Sequence, residues 1–280
     1  MEEVLNSRRS FLRLSAATLA TLAASRAFGA DEAPAGEGAY AGLPMGCQSY
    51  TFRDRSFDKM LEAVSKDEHL KFVEIWPGHM SGMSPKEARK RAEDHGLTIT
   101  GYGVVSFTKD DAKNRKEFEV GKVLGVKTLT CDPSPDSFDS LDKLTEEFGI
   151  SASIHDHGPG NRWGKIDTIW NAVKDHSPRI GLCNDTGHFI RAGEDPLRAC
   201  TVFGDRVLGM HLKDFKKLPD GKWDDCILGD GSLNVEGIVK WLLEHKFRGD
   251  LSLEYEGKKP VESAAESLRR VARAVKGAGA

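Results

Sequence analysis

The chain has 280 residues, 39% hydrophobic and 30% charged, a balance that excludes intrinsic disorder and a polytopic membrane protein. Formal net charge is −3, and four Arg against two Glu in the first thirty residues leave the remainder more acidic still, without the basic field that nucleic-acid binding needs. Five Cys with no CxxC pair exclude a disulfide scaffold or a zinc ribbon.

Residues 7–13 read SRRSFLR and precede a mild apolar run over 14–24, which closes in small residues near 27–30. Paired Arg with Phe11 and Leu12 behind them resembles a twin-arginine export signal, expected over residues 1–30 with cleavage between 27 and 31. The competing readings are an ordinary amphipathic helix or a short anchor. The run is too short and too rich in Ala and Thr to span a bilayer comfortably, so no stable membrane span is expected after signal removal. A periplasmic or secreted protein follows from this reading. A Gly-, Ala- and Pro-rich linker is expected over 31–42, and the folded domain over 43–280.

From Leu43 onward β-rich runs alternate with helical patterns. Strands are expected at 45–50, 70–76, 97–104, 126–131, 150–157, 179–185, 207–213 and 250–256. Helices are expected at 56–66, 84–95, 111–124, 138–148, 165–175, 195–203, 234–245 and 261–275. Ser84 with Pro85 reads as an N-cap and first helical position, and Gly96, Gly125 and Gly149 stand where helices should stop. Eight such units in about 240 residues predict an α/β fold, the (β/α)8 TIM barrel. An open doubly wound sheet would carry a Gly-rich first turn, and residues 49–54 contain no Gly.

Alternation within the strands identifies the inward face. In the fifth strand Ile150, Ala152 and Ile154 oppose Ser151, Ser153, His155 and His157. The sixth sets Ile180 and Leu182 against Gly181, Cys183 and Asp185, the seventh Leu208, Met210 and Leu212 against Gly209, His211 and Lys213. The eighth sets Leu251, Leu253 and Tyr255 against Ser252, Glu254 and Glu256. The apolar faces must pack under helices, so the polar ones face the axis at the C-terminal strand ends, where barrel enzymes build active sites.

His155, Asp185, His211 and Glu254 thus come from four consecutive strands. Two imidazoles and two carboxylates suit one divalent transition metal (Mn, Zn, Co or Fe) better than Mg or Ca. A polar mouth without metal is the competing reading. His157 competes with His155 as ligand; with His155 bound, His157 faces substrate.

The segments CNDTGH (183–188), GMHLKD (209–214), LGDGS (228–232) and LSLEYE (251–256), with GCQSYTF (46–52) and FVEI (72–75), resemble the xylose isomerase-like barrel family, the sugar phosphate isomerase/epimerase group that also contains endonuclease IV. The resemblance covers residues 44–276. It implies Asp185, His211 and Glu254 as metal ligands, His188 as a substrate contact and Glu74 as an acidic position at the end of the second strand. One departure stands out. Epimerases of the family usually carry Glu where this chain has His155, and a two-Glu proton exchange cannot transfer unchanged. IHDHGP (154–159) looks more like a branch linked to oxidised sugars, in which 3-keto-glycosides are cleaved or isomerised.

The expected function is a metal-dependent sugar isomerase or epimerase working through an enediolate, with a 3-keto-glycoside lyase or hydrolase as the alternative. A non-catalytic sugar-binding barrel comes third, and an abasic-site endonuclease fits poorly with the acidic chain. His157, Lys213 and Glu254 are the acid/base candidates, with His188 a further one; a metal-bound His155 is not free to act as a base. Lys213 serves either as base or oxyanion donor, or simply as an ion-pair partner. Glu74, His188, Gln48 and Arg53 are the expected substrate contacts, Glu74 also a support behind the metal site. Tyr50 reads as a further hydrogen-bond contact to hydroxyls or as outer packing, and Trp76, Trp163 and Trp223 read as sugar platforms or as caps on the core. The charge run 213–217 reads as a solvated loop and Asp214 as structural. The expected partner is a small carbohydrate, not nucleic acid; the resemblance leaves a homodimer open.

Overall fold

The computed structural model describes residues 38–67 and 69–279; the expected export signal and most of the expected linker lie outside them. Among the described residues ten strands are present: β1 Met45–Gln48, β2 Phe72–Ile75, β3 Thr98–Phe107, β4 Thr128–Pro133, β5 Ser151–His155, β6 Ile180–Asp185, β7 Val207–Leu212, β8 Asp214–Lys217, β9 Trp223–Cys226 and β10 Asp250–Leu253. Eight of them close a parallel barrel in the order β1-β10-β7-β6-β5-β4-β3-β2, and β8 pairs with β9 as a separate antiparallel hairpin. The helices are α1 Phe57–Val64, α2 Pro85–Asp94, α3 Asp111–Leu124, α4 Phe138–Phe148, α5 Ile166–Val173, α6 Thr186–Arg191, α7 Pro196–Phe203, α8 Val235–Glu244 and α9 Pro260–Gly277.

Local chemistry sets these boundaries. Ser84 accepts the Glu87 N–H ahead of Pro85, which starts α2. Gly125 (φ 83°) and Gly149 (φ 66°) end α3 and α4 in the left-handed conformation that glycine adopts without a Cβ penalty. The outward strand residues Leu129, Ala152, Ile154, Leu182, Met210 and Leu251 are fully buried beneath the helices, as are the helix residues Phe118, Leu141, Ile169 and Leu242. Tyr40, inside the stretch expected as linker, is buried in this core.

Three expectations are corrected. Strand 1 ends at Gln48, and Tyr50 lies in a 3-10 turn over Ser49–Phe52 held by the Gln48 side chain. The segment 213–217 is no solvated loop: Lys213, Asp214 and Phe215 are buried and only Lys216 and Lys217 are exposed, and Asp214–Lys217 pairs antiparallel with Trp223–Cys226. Residues 186–191, directly after the sixth strand, form the additional helix α6, capped by Asp185 accepting the His188 N–H.

Candidate metal centre

Four staves deliver the central cluster. His155 ends β5, Asp185 ends β6, His211 lies on β7 and Glu254 follows β10. All four are buried, and one potential ligand atom from each lies within 4.8 Å of every other. His155 Nε2 stands 3.1 Å from His211 Nδ1 and 3.5 Å from Asp185 Oδ2. His211 Nδ1 stands 3.7 Å from Asp185 Oδ2 and 3.0 Å from Glu254 Oε2.

These spacings fit a cation. Four ligands at about 2.0–2.2 Å from a tetrahedral ion are separated by edges of about 3.3–3.6 Å. Asp185 Oδ2 and Glu254 Oε2 are buried with no hydrogen-bond partner, and two ring nitrogens face each other across 3.1 Å. A buried carboxylate oxygen with no donor costs free energy that a bound cation would offset. The mixed imidazole and carboxylate donor set suits a late first-row divalent ion.

The floor beneath the cluster orients it. His211 Nε2 meets Glu74 Oε2 at 2.6 Å, which leaves Nδ1 facing the ligand cluster. Glu74 is fully buried; this is why it supports His211 rather than meeting a substrate. Its other oxygen and Asp250 Oδ2 both lack a hydrogen-bond partner, and Asp250 Oδ1 accepts from Thr100 Oγ1 at 2.6 Å. Burial and the neighbouring Glu74 raise the Asp250 pKa well above the carboxylate range, which favours a proton shared between these two otherwise unpartnered oxygens. A Cβ at residue 101 would lie 2.5 Å from Asp250 Oδ2 and 2.9 Å from Glu74 Cγ, so Gly101 is required for this carboxyl pair to occupy the barrel axis.

Above the cluster the groups differ in charge. Lys213 is fully buried, with Nζ 3.3 Å from Glu254 and 3.8 Å from Asp185 and paired with Glu256. Burial alone would lower its pKa, but the carboxylates of Glu254, Asp185 and Glu256 raise it, so Lys213 is an ammonium and not a base. Burial raises the Glu254 pKa, but Lys213 and His211 outweigh it and hold the carboxyl at about 2. His157 lies outside the four-ligand set, its ring 4.5 Å from that of His155. Burial, reinforced by His155, pushes its pKa down to about 4, so its imidazole is neutral at pH 7. His188, on α6, is 9% exposed, with Nε2 4.0 Å from Asp185 Oδ2; burial pushes it down to about 3.

The remaining expected contacts are placed differently. Gln48 is buried and accepts the Tyr50 N–H, which ties its side chain to the turn. Arg53 is exposed and donates to the Glu256 carbonyl at 2.8 Å. Trp163 caps the core at 3% exposure, donating to the Pro133 carbonyl, so it is no open platform. Tyr50 and Trp76 remain partly exposed, edge to face at 5.1 Å. Asp250 and Asp132 were not singled out from sequence, yet each shares the inward parity of a strand: Asp250 with Ser252 and Glu254, Asp132 with Thr128 and Thr130.

A closed eight-stave barrel with a ligand cluster at its C-terminal mouth places the protein in the class of (β/α)8 enzyme-type barrels. More narrowly, the chain belongs to the xylose isomerase-like TIM barrel family, which residues 62–274 match. It is 27% identical over 137 residues to an inosose dehydratase of Clostridium beijerinckii, covering 43% of this chain and 45% of that protein. It is 24% identical over 220 residues to a 3-dehydroshikimate dehydratase of Pseudomonas putida, covering 66% of this chain and 34% of that protein. The chain thus spans less than half the length of these curated relatives. Among solved structures, the IOLI protein with a bound zinc atom superposes with a TM-score of 0.65 at 18% identity, over 83% of this chain and 96% of that one.

Proposed function

We propose that this protein is a metal-dependent lyase acting on an oxidised cyclic polyol or sugar: it removes the proton α to a ketone and expels the oxygen substituent β to it. The observation that carries the reading is geometric: an imidazole outside the ligand set (His157, its ring 4.5 Å from that of His155) and the buried Lys213 amine, 3.3 Å from Glu254, stand at one ligand cluster. The dehydratase relatives support it, since loss of water is the same elimination with hydroxide as the β-substituent.

His155, Asp185, His211 and Glu254 would hold a divalent ion, which would supply the Lewis acidity that acidifies the C–H beside a ketone. His157 accepts the α-proton, and Lys213 donates hydrogen bonds to the enediolate oxygen. As the electron pair returns, the carbon–oxygen bond at the β position breaks, and the proton on His157 passes to the departing oxygen. The products are an unsaturated ketone and an alcohol, or water. His188 lines the same mouth and is neutral, placed to accept a substrate hydroxyl.

Isomerase or epimerase activity, the first expectation from sequence, is the second reading. Isomerisation would return the proton to the neighbouring carbon, and epimerisation would need a second group to protonate the opposite face; Glu254 is the carboxylate at hand, although Lys213 stands 3.3 Å from it. A mass-resolved assay separates the two. Manganese-loaded protein incubated with an inosose or a 3-oxo-glucoside in D2O should give a product lighter by the lost substituent. Deuterated substrate or isomer at otherwise constant mass would support the second reading, and finding neither a lighter product nor any exchange would overturn both.

Export is part of the same proposal, resting on Arg8 and Arg9. Cell fractionation should find the wild type outside the cytoplasm and the R8K/R9K double variant within it; equal distribution would overturn it.

A further inference from the structure

Beside the ligand cluster the mouth continues into a groove of about 370 Å³ over β3, β4 and the loop after β5. That volume falls at the lower end of the ligand-pocket range of about 300–1,000 Å³. His157 is shared: its ring lies 4.5 Å from the His155 ring on one side and lines the groove on the other. The groove therefore begins where the reacting carbon would sit and runs away from the four metal staves.

Its lining is chemically specific. Asp132 and Arg162 both line it, both are exposed, and neither side chain makes a hydrogen bond or ion pair with another described residue. Elsewhere on this surface Arg115 pairs with Glu147 and Arg91 with Asp58 and Glu87, whereas these two side chains stay open to the groove. Ser106 and Asn161 add short polar groups, and Phe107 and Pro133, with the little-exposed Trp163, line its apolar base. Bonds within the lining hold the shape: Asn161 donates to the His157 carbonyl at 3.0 Å, and Trp163 Nε1 to the Pro133 carbonyl at 3.1 Å. One carboxylate and one guanidinium sum to zero charge. Asp132 would repel a phosphate or carboxylate, and Arg162 an ammonium. A carboxylate accepting and a guanidinium donating, over an apolar floor, suit a neutral ring that carries hydroxyls around its edge and C–H bonds on its face.

We propose that this groove is a second subsite, taking a neutral polyhydroxylated ring joined through oxygen to the oxidised ring at the metal centre. The substrate class is then an oxidised disaccharide or cyclitol glycoside rather than a single ring, and the ring in the groove departs as the alcohol. This rests on the lyase reading, so the test has one arm that needs turnover and one that does not.

For turnover, two probes differ only in the departing group: methyl 3-oxo-β-glucoside, and the cellobiose derivative oxidised at C3 of its non-reducing ring. Metal-loaded wild type should prefer the disaccharide in kcat/KM by about tenfold or more, one well-made polar contact's worth of discrimination. D132N and R162A should each reduce that preference ratio about tenfold. A wild-type ratio near one, or variants that leave the ratio unmoved, would overturn the subsite while leaving the lyase reading intact. If neither probe reacts, the lyase reading fails, and binding decides the subsite. Saturation-transfer NMR with the unreactive methyl β-cellobioside should show contact to both rings in wild type and loss of contact to the reducing-end ring in R162A. Contact to one ring only, or none, in wild type would overturn the proposal.

Discussion

The Nε2–H of His211 is donated to Glu74 Oε2 at 2.6 Å, from inside a barrel where Glu74 has no exposed surface. The bond fixes the ring tautomer and turns Nδ1 toward Asp185 and Glu254. Carboxylates behind a ligating imidazole raise its basicity, and their loss weakens metal binding by about 10–100-fold. E74Q should therefore lower affinity for manganese or zinc within that range, read by competition with a chromogenic chelator. D250N should stay near wild type, because an amide N–H can replace the proton shared between Asp250 and Glu74. Equal affinity in E74Q and wild type would show the contact to be structural only.

Metal should also stabilise the fold. An ion that binds only the folded chain adds about 2.7 kcal/mol at a free concentration of 100 times Kd. Melting temperature should rise with added manganese or zinc in wild type and stay level in D185N. That variant keeps an oxygen to accept the His188 N–H, which Asp185 now accepts at 2.8 Å, so the α6 cap survives while the anionic ligand is lost. A melting temperature in D185N that climbs with metal as in wild type would remove Asp185 from the ligand set.

Strand parity made much of the centre legible. His155, Asp185, His211 and Glu254 share the inward face because side chains alternate and the opposite faces are apolar, and no longer-range knowledge was needed to collect them. Parity also applied to Asp250, but its position at the start of a strand hid it, since attention falls on the C-terminal ends. Two features resisted. The charged segment 214–217 has only Phe215 as an inward apolar residue, too little periodicity to signal a strand. Gln48 and Arg53 are polar residues near the mouth, and sequence does not reveal that backbone groups at Tyr50 and Glu256 claim their side chains.

The neutral state of His157 sets a pH dependence. With a pKa of about 4, the base form persists down to that pH, so the acid limb of kcat/KM should fall through about 4 rather than through the free imidazole value of about 6.5. H157Q should lose about 10²–10⁴-fold in kcat, the usual contribution of a positioned base, while its metal titration matches wild type. The same shift acts on stability. The folded pKa lies below the unfolded one, so the unfolded chain binds more protons between about 6.5 and 4, and stability declines as pH falls through that window. His188, pushed down to about 3, adds in the same direction. Denaturant titrations at pH 7 and pH 5 should show wild type losing more stability than H157Q; equal losses would mean that the imidazole is not held neutral.

Asp214 shows how a charged residue beside the centre can serve only the fold. Its Oδ2 accepts the N–H groups of Gly229 and Gly231 at 2.9 and 3.0 Å, and its Oδ1 those of Ser232 and Leu233 at 2.8 and 2.9 Å. The loop has no strand or helix to satisfy these donors, and a Cβ at residue 231 would lie 2.3 Å from Oδ1, so glycine is needed for the backbone to close on the carboxylate. Arg270 grips the loop from outside through the Leu228 carbonyl at 2.9 Å. Each buried donor left unpaired costs about 1–3 kcal/mol, and water recovers part of that at a loop. D214A should lose about 3–5 kcal/mol of stability by denaturant titration, within the range of a broken buried network. D214N, which keeps one acceptor oxygen, should lose less. Hydrogen exchange should accelerate at residues 229–233 before the barrel strands respond. If D214A melts with wild type and those amides exchange at the same rate, the carboxylate does not organise the loop, and its burial would call for a role at the neighbouring Lys213.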